Sequence, residues 1–165
     1  MIAYPVTLTP DDNDTYLITS PDFPEVTSFG ETVEESLDRA RGALLEAIEA
    51  RMHDREPIPP PSTGKHLVPL PAQAAIKILL YQQLESDGIR KSELARRMNI
   101  PRQEVDRMLD LNHGTALPKM ELAFAALGKR LRLSVGPRLR PPPSTRRTVE
   151  AHAKTRRNRP AGLQR

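Results

Sequence analysis

The chain has 165 residues, no cysteine and a formal net charge of +4. That length suits one ordinary domain or two small ones, and the missing thiols exclude disulfides and thiolate-held zinc. His53, His66, His113 and His152 are scattered with no HExxH-type pair, no cofactor motif is present, and no window approaches the ~18 apolar residues of a membrane span, so a soluble protein without metal or cofactor is expected.

The opening MIAYPVTLTP lacks the basic and then apolar pattern of an export signal, which predicts a cytoplasmic protein. Ile2–Thr9 and Thr15–Pro21 are β-prone runs around the turn signal "PDDND", and Glu25–Gly30 reads as a third strand. Asp11, Asp12 and Asp14 crowd that turn, where acids serve as turn formers rather than catalysts. In "ETVEESLDRARGALLEAIEARMHD" the residues Val33, Leu37, Ala40, Leu44, Ile48 and Met52 fall three or four apart on one helical face. Thr32 and Glu35 make a capping-box pair at its start. A Pro-rich spacer around Pro57–Pro61 precedes a possible fourth strand in Gly64–Pro71, completing a βββαβ unit.

From Ala72 the period becomes helical throughout. Ala72, Ile76, Leu79, Leu80 and Leu84 are expected on the buried face of a helix closed by Gly88. Helices over 92–98 and 102–111 follow, then one over Leu117–Leu131 with Pro118 near its start. "RLRLSV" alternates as a short terminal strand or extension. Residues 137–165, with too few apolar groups to offset ordering entropy, are expected to be disordered. The fold class is therefore α+β: a domain over 1–64 with a last strand reaching 71, an all-α domain over 72–136, and a basic tail. Charge follows the same divisions. Residues 1–64 carry 4 Lys/Arg against 13 Asp/Glu (−9), 65–136 carry 12 against 7 (+5), and 137–165 carry 9 against 1 (+8). An acidic head and a basic remainder suit different partners.

The stretch "SELARRMNIPRQEV" meets the demands of a helix-turn-helix. Ala95 is small where two helices cross, Asn99 tolerates a left-handed turn, and Ile100 and Val105 supply buried groups on either side. The second helix would lie in a major groove with Arg102, Gln103, Asp106 and Arg107 toward base edges. Lys91 and Ser92 ahead of it, and Asn112, His113 and Thr115 after it, are placed for the DNA backbone. Pro101 presets φ at the helix start but offers no capping oxygen. The competing reading is a helical hairpin with a solvated basic face.

The runs "YPVTLTP…YLITSPDFPEVTSFGETVEESLDRARGALLEAI…EPIPPPS" and "LYQQLESDGIRKSELARRMNIPRQEVDRMLDLNHGT…ALGKRLRLSV" together resemble the HicB antitoxin family over residues 1–136. The most specific marks are Ser20-Pro21-Asp22-Phe23-Pro24, Gly30-Glu31-Thr32 with Glu34-Glu35-Ser36-Leu37, and Arg102-Gln103-Glu104-Val105. The resemblance implies a partial ribonuclease-H-like head that binds a HicA-like toxin, a small basic RNA-cleaving protein. It also implies a DNA-binding half that represses the shared operon as a homodimer or higher homo-oligomer, without enzymatic activity. An acidic head would steer a basic toxin toward it. Tyr16, Asp22, Phe23 and Glu25 are the expected contact residues, with burial in the core the competing reading for Phe23 and for Phe29. The basic tail is not part of the family pattern. Two other readings stand beside this one: a solitary helix-turn-helix regulator whose head binds another protein or ligand, and an RNA-processing enzyme.

Overall fold

A computed structural model describes residues 2–136, in which four strands and five helices form. The disorder expected of 137–165 lies outside the described residues. Strands β1 (Ala3–Pro10), β2 (Tyr16–Thr19), β3 (Thr27–Gly30) and β4 (His66–Pro69) make one antiparallel sheet in the order β3-β2-β1-β4. The acid-rich β1–β2 turn is built as its composition demands. Asp12 N–H donates to the Asp11 carboxylate at 2.8 Å, Thr15 N–H to the Asn13 side chain at 3.2 Å, and Asp14 adopts a left-handed φ of 63°.

β1 changes partner along its length. Ala3–Val6 pair with β4 and Thr7–Pro10 pair with β2. Pro5 falls where β2 has already ended, so its missing N–H leaves the β1–β2 ladder intact, and the Ser20 hydroxyl donates to its carbonyl at 3.1 Å. The two-residue period then sorts the faces. Tyr4, Val6, Ile18 and Val68 are buried under helix α1 (Val33–Asp54), whereas Thr7, Thr9, Thr27 and Phe29 remain exposed on the other side. Phe29 is therefore not a core residue. It pairs across from Leu17 on the face turned away from α1 and is 45% exposed.

α1 starts as its sequence dictates. Thr32 Oγ1 accepts from Glu35 N–H at 3.1 Å, and the Glu35 carboxylate accepts from Glu31 N–H at 2.9 Å, one residue ahead of the cap. Of the predicted face, Ala40, Leu44, Ile48 and Met52 are buried, joined by Ser36 and Ala47, while Val33 and Leu37 are half-buried. Gly30 permits this docking. A Cβ there would lie 2.9 Å from both the Cα and the backbone nitrogen of Ser36. Gly30→Ala is accordingly expected to destabilise the protein by about 1–3 kcal/mol through overpacking. Urea unfolding measures it, and an unchanged midpoint would show that α1 shifts freely on the sheet.

The Pro-rich segment is fastened rather than a free spacer. The Tyr4 hydroxyl donates to the Pro59 carbonyl at 2.9 Å, Ser62 N–H to the Asp22 carboxylate at 3.0 Å, and Ile58 is buried. With β4 closing the sheet and Leu70 N–H bonded to the Ile2 carbonyl at 3.0 Å, the N-terminal unit reaches Leu70. Helix α2 (Ala72–Ser86) packs directly on it. Its Tyr81 hydroxyl donates to the Glu56 carbonyl at 2.9 Å, and one hydrophobic core runs through both halves.

α2 buries Ala74, Lys77, Ile78, Leu80, Tyr81 and Leu84, a face rotated from the predicted one: Ala72 and Leu79 are exposed and Ile76 is half-buried. Polar tips decide the rotation, because Tyr81 and Lys77 both find carbonyl partners inside. Gly88, at φ 63°, lets Ile89 N–H return to the Leu84 carbonyl at 2.9 Å. Helix α3 (Lys91–Met98), helix α4 (Arg102–Leu109) and helix α5 (Leu117–Ala126) complete the chain. α4 ends before 111 because Asp110 turns to extended backbone, and α5 stops short of Leu131 at Gly128, φ 70°. "RLRLSV" forms no strand, and Leu133 and Val135 are exposed.

Candidate DNA-reading and partner-binding surfaces

The α3–α4 turn has the conformation that its residues demand. Asn99 is left-handed (φ 53°, ψ 46°), and Ile100 N–H bonds back to the Ala95 carbonyl at 3.0 Å. Leu94 and Ala95 from α3, with Val105, Met108 and Leu109 from α4, are buried. These residues place Arg102, Gln103, Asp106 and Arg107 together on the opposite face of α4, at i, i+1, i+4 and i+5. Arg102 and Arg107 keep 62% and 63% of their side chains exposed.

The four do not stand alike. Asp106 is a tether, 3.2 Å from Lys91 Nζ and 3.9 Å from Arg102 Nε. Arg107 lies 3.1 Å from Glu104, whose carboxyl is held below its usual range first by Lys119 of α5 and then by Arg107. Arg96 and Arg97 on α3 both bind Glu93 at 2.8 Å and pull its carboxyl down to about 2. Gln103 is exposed with no side-chain partner among the described residues, and Ser92 is exposed at the start of α3.

The loop residues expected at the DNA backbone are more engaged. Asn112 donates its side-chain amide to the Glu49 carboxylate of α1 at 2.7 Å. His113 exposes its ring while its carbonyl accepts from Lys77, and the Thr115 carbonyl accepts from the Gln73 side chain at 3.0 Å. Thr115 Oγ1 is buried without a partner among the described residues.

Sequence reasoning missed Lys77. It is 0% exposed, and its ammonium donates to the carbonyls of Asp110 and His113 at 2.5 Å and of Arg107 at 3.5 Å. Three donors meet three acceptors at the C-terminal end of α4, where the helix dipole favours a cation. Burial lowers its pKa, opposed by the charges of Asp110 and Glu49.

In the head, the "SPDFPEV" loop works as a plug. Phe23 is fully buried edge-on to Tyr4 at 4.9 Å between centroids, with the Arg51 guanidinium 4.9 Å above its ring. It offers no surface to a partner, so the core reading holds for Phe23. Glu25 binds Arg51 through both oxygens, at 2.7 and 3.0 Å, which lowers the Glu25 pKa. Asp22 is half-buried on Ser62 N–H, and Tyr16 is half-buried on β2. The loop thus fixes the head's interior, and of the four only Glu25 counts as exposed, with 42% of its side chain accessible beside Arg51. Among the exposed acids that sequence reasoning passed over, three lie on α1, one of them, Asp38, paired with Arg41 at 2.6 Å. Glu34, Asp38 and Glu46 project at intervals of four and eight residues, a signal visible once the buried face is assigned.

Burial, and next the Asp22 charge, push the Tyr4 hydroxyl up to about 12 from 10.0. A folded pKa above the unfolded one means stability present below about pH 10 and lost as pH rises through about 12, up to roughly 3 kcal/mol. Alkaline unfolding over that window is expected to be shallower in Tyr4→Phe; identical slopes would contradict the assignment.

Among the described residues no helix is long and apolar enough to cross a membrane, and no group of three His, Asp or Glu is placed to hold a metal. A family profile described as HicB_like antitoxin of bacterial toxin–antitoxin system matches residues 3–79. Antitoxin HicB of Escherichia coli K12 is 41% identical over 135 residues, 80% of this chain and 98% of that protein. Antitoxin HicB 1 of Photorhabdus laumondii is 38% identical, covering 81% of this chain and 87% of its own length. Antitoxin HicB of Pseudomonas fluorescens is 37% identical, covering 69% and 81%. With identity at that level over most of both chains, and an α+β head joined to a helical half, this protein belongs to the HicB family of antitoxins, a non-enzymatic family of toxin–antitoxin systems.

Proposed function

We propose that this antitoxin neutralises a HicA-like RNA-cleaving toxin through its acidic head and represses its own operon through α4. The observation that carries the reading is the union in one chain of a head of net −9 with a turn, at Asn99, that presents Arg102, Gln103 and Arg107 on one open helix face. A basic toxin is steered by the first, and guanine and adenine edges suit the second. Repression uses paired copies on a palindrome with half-sites about one helical turn apart or a multiple of that. Leu122, 63% exposed on α5, and Leu133, 62% exposed beyond it, offer apolar surface for such pairing. The protein acts in the cytoplasm, on the nucleoid when bound to DNA.

The toxin face we assign is the outward side of α1, around Glu34, Asp38 and Glu46, rather than the plug loop. The double variant Glu34→Lys/Glu46→Lys is expected to slow toxin association about tenfold at low salt while leaving operator affinity no weaker. Stopped-flow association measures it. An unchanged rate would move the toxin contact off α1.

A further inference from the structure

Among the described residues, the loop Asp110–Thr115 is the one place where α1, α2 and the end of α4 meet through side-chain hydrogen bonds. From α2, Lys77 takes the carbonyls of Arg107, Asp110 and His113, and Gln73 takes that of Thr115. From α1, the Glu49 carboxylate takes the Asn112 amide, 63 residues away in sequence. The loop's own contact, Asn112 N–H to the Asp110 carboxylate at 2.8 Å, fixes its curvature. Val105, Met108 and Leu109 seat the eight-residue reading helix on the core, and because so short a helix has little rigidity of its own, the contacts at its two ends help to fix its angle to DNA. Its N-terminal end is held by the Asn99 turn and its C-terminal end by this clamp.

We propose that Glu49 and Lys77 are positioning residues for DNA reading: with Asn112 they set the pose of α4, so that the acidic helix of the head is joined directly to the DNA reader. The inference rests on the operator-binding reading above. It has a consequence opposite in sign to simple electrostatics. Removing a carboxylate from a DNA-binding protein lessens its repulsion of phosphate and should strengthen binding. Removing Glu49 as an acceptor takes away the loop's bond to α1, leaves it held by α2 alone, and should weaken specific binding instead.

The test compares full-length wild type, Glu49→Ala and Glu49→Gln on the operator duplex and on a scrambled duplex of equal length, at one salt concentration. Gln keeps an oxygen that accepts from Asn112 but carries no charge. Glu49→Ala is expected to lose about three- to tenfold in operator affinity, the scale of one modest hydrogen bond, with scrambled-DNA affinity equal or higher. Glu49→Gln is expected to match or exceed wild type on both. Hydrogen exchange in the free protein should show faster exchange at the amides of 110–115 in Glu49→Ala alone. Glu49→Ala binding operator as tightly as Glu49→Gln would overturn the proposal. Wild type with no preference for operator over scrambled DNA would instead refute α4 as a reader, and the proposal with it.

Discussion

Lys77→Met is expected to destabilise the protein by about 2–3 kcal/mol, the largest loss foreseen for a single side chain. Methionine preserves the apolar stem on the buried face of α2 but leaves three carbonyls without their donor. Hydrogen bonds to a charged group contribute about 1.5–3 kcal/mol, and unpaired carbonyls at a helix end add their own penalty. Release of a buried ammonium offsets part of that sum, which keeps the net below the usual cost of breaking a buried ion pair. Urea unfolding should show a lower midpoint with an unchanged slope, and the melting temperature should fall by roughly 10 °C. A variant as stable as wild type would mean that water satisfies the three carbonyls once Lys77 is gone.

The second large effect concerns binding alone. Arg102→Ala and Gln103→Ala are each expected to weaken operator binding by about 10- to 100-fold while affinity for unrelated DNA changes little, the pattern of a lost base contact worth roughly 1–3 kcal/mol. Both side chains are exposed, so the unfolding midpoint should stay within about 0.5 kcal/mol of wild type. Toxin neutralisation should be intact. Gel-shift titration against operator and scrambled duplexes measures the first effect, and a toxin-inhibition assay measures the last. Variants that recognise operator normally would favour the competing reading, a helical hairpin with a solvated basic face.

Much of this architecture is legible from local rules. The capping pair Thr32–Glu35, the left-handed Asn99 and the glycine stop at Gly88 each follow from one residue type in one local setting. Periodicity locates α1 and its buried stripe. The rule fails on α2, where leucines at 79 and 80 draw the predicted face toward themselves. Tyr81 and Lys77 turn the helix inward because their polar tips meet carbonyls from residues 25 to 36 positions away, which no short window contains. The same limit applies to the "SPDFPEV" loop. As a sequence it reads as an exposed acidic loop fit for a partner, yet Arg51, 26 residues beyond Glu25, converts it into an internal plug. Phe29 shows the reverse error, because an aromatic residue in a strand reads as core until the register assigns it to the open face.

The most direct test of the antitoxin reading is purification of the tagged full-length chain from its host, with an RNA-cleavage assay on whatever small protein accompanies it. The reading predicts a basic partner in fixed stoichiometry that cleaves RNA only after this chain is removed and is silenced again when the chain is added back at that ratio. A chain that purifies alone, yet binds a palindrome tightly, would contradict it and identify a solitary regulator whose acidic head serves another ligand.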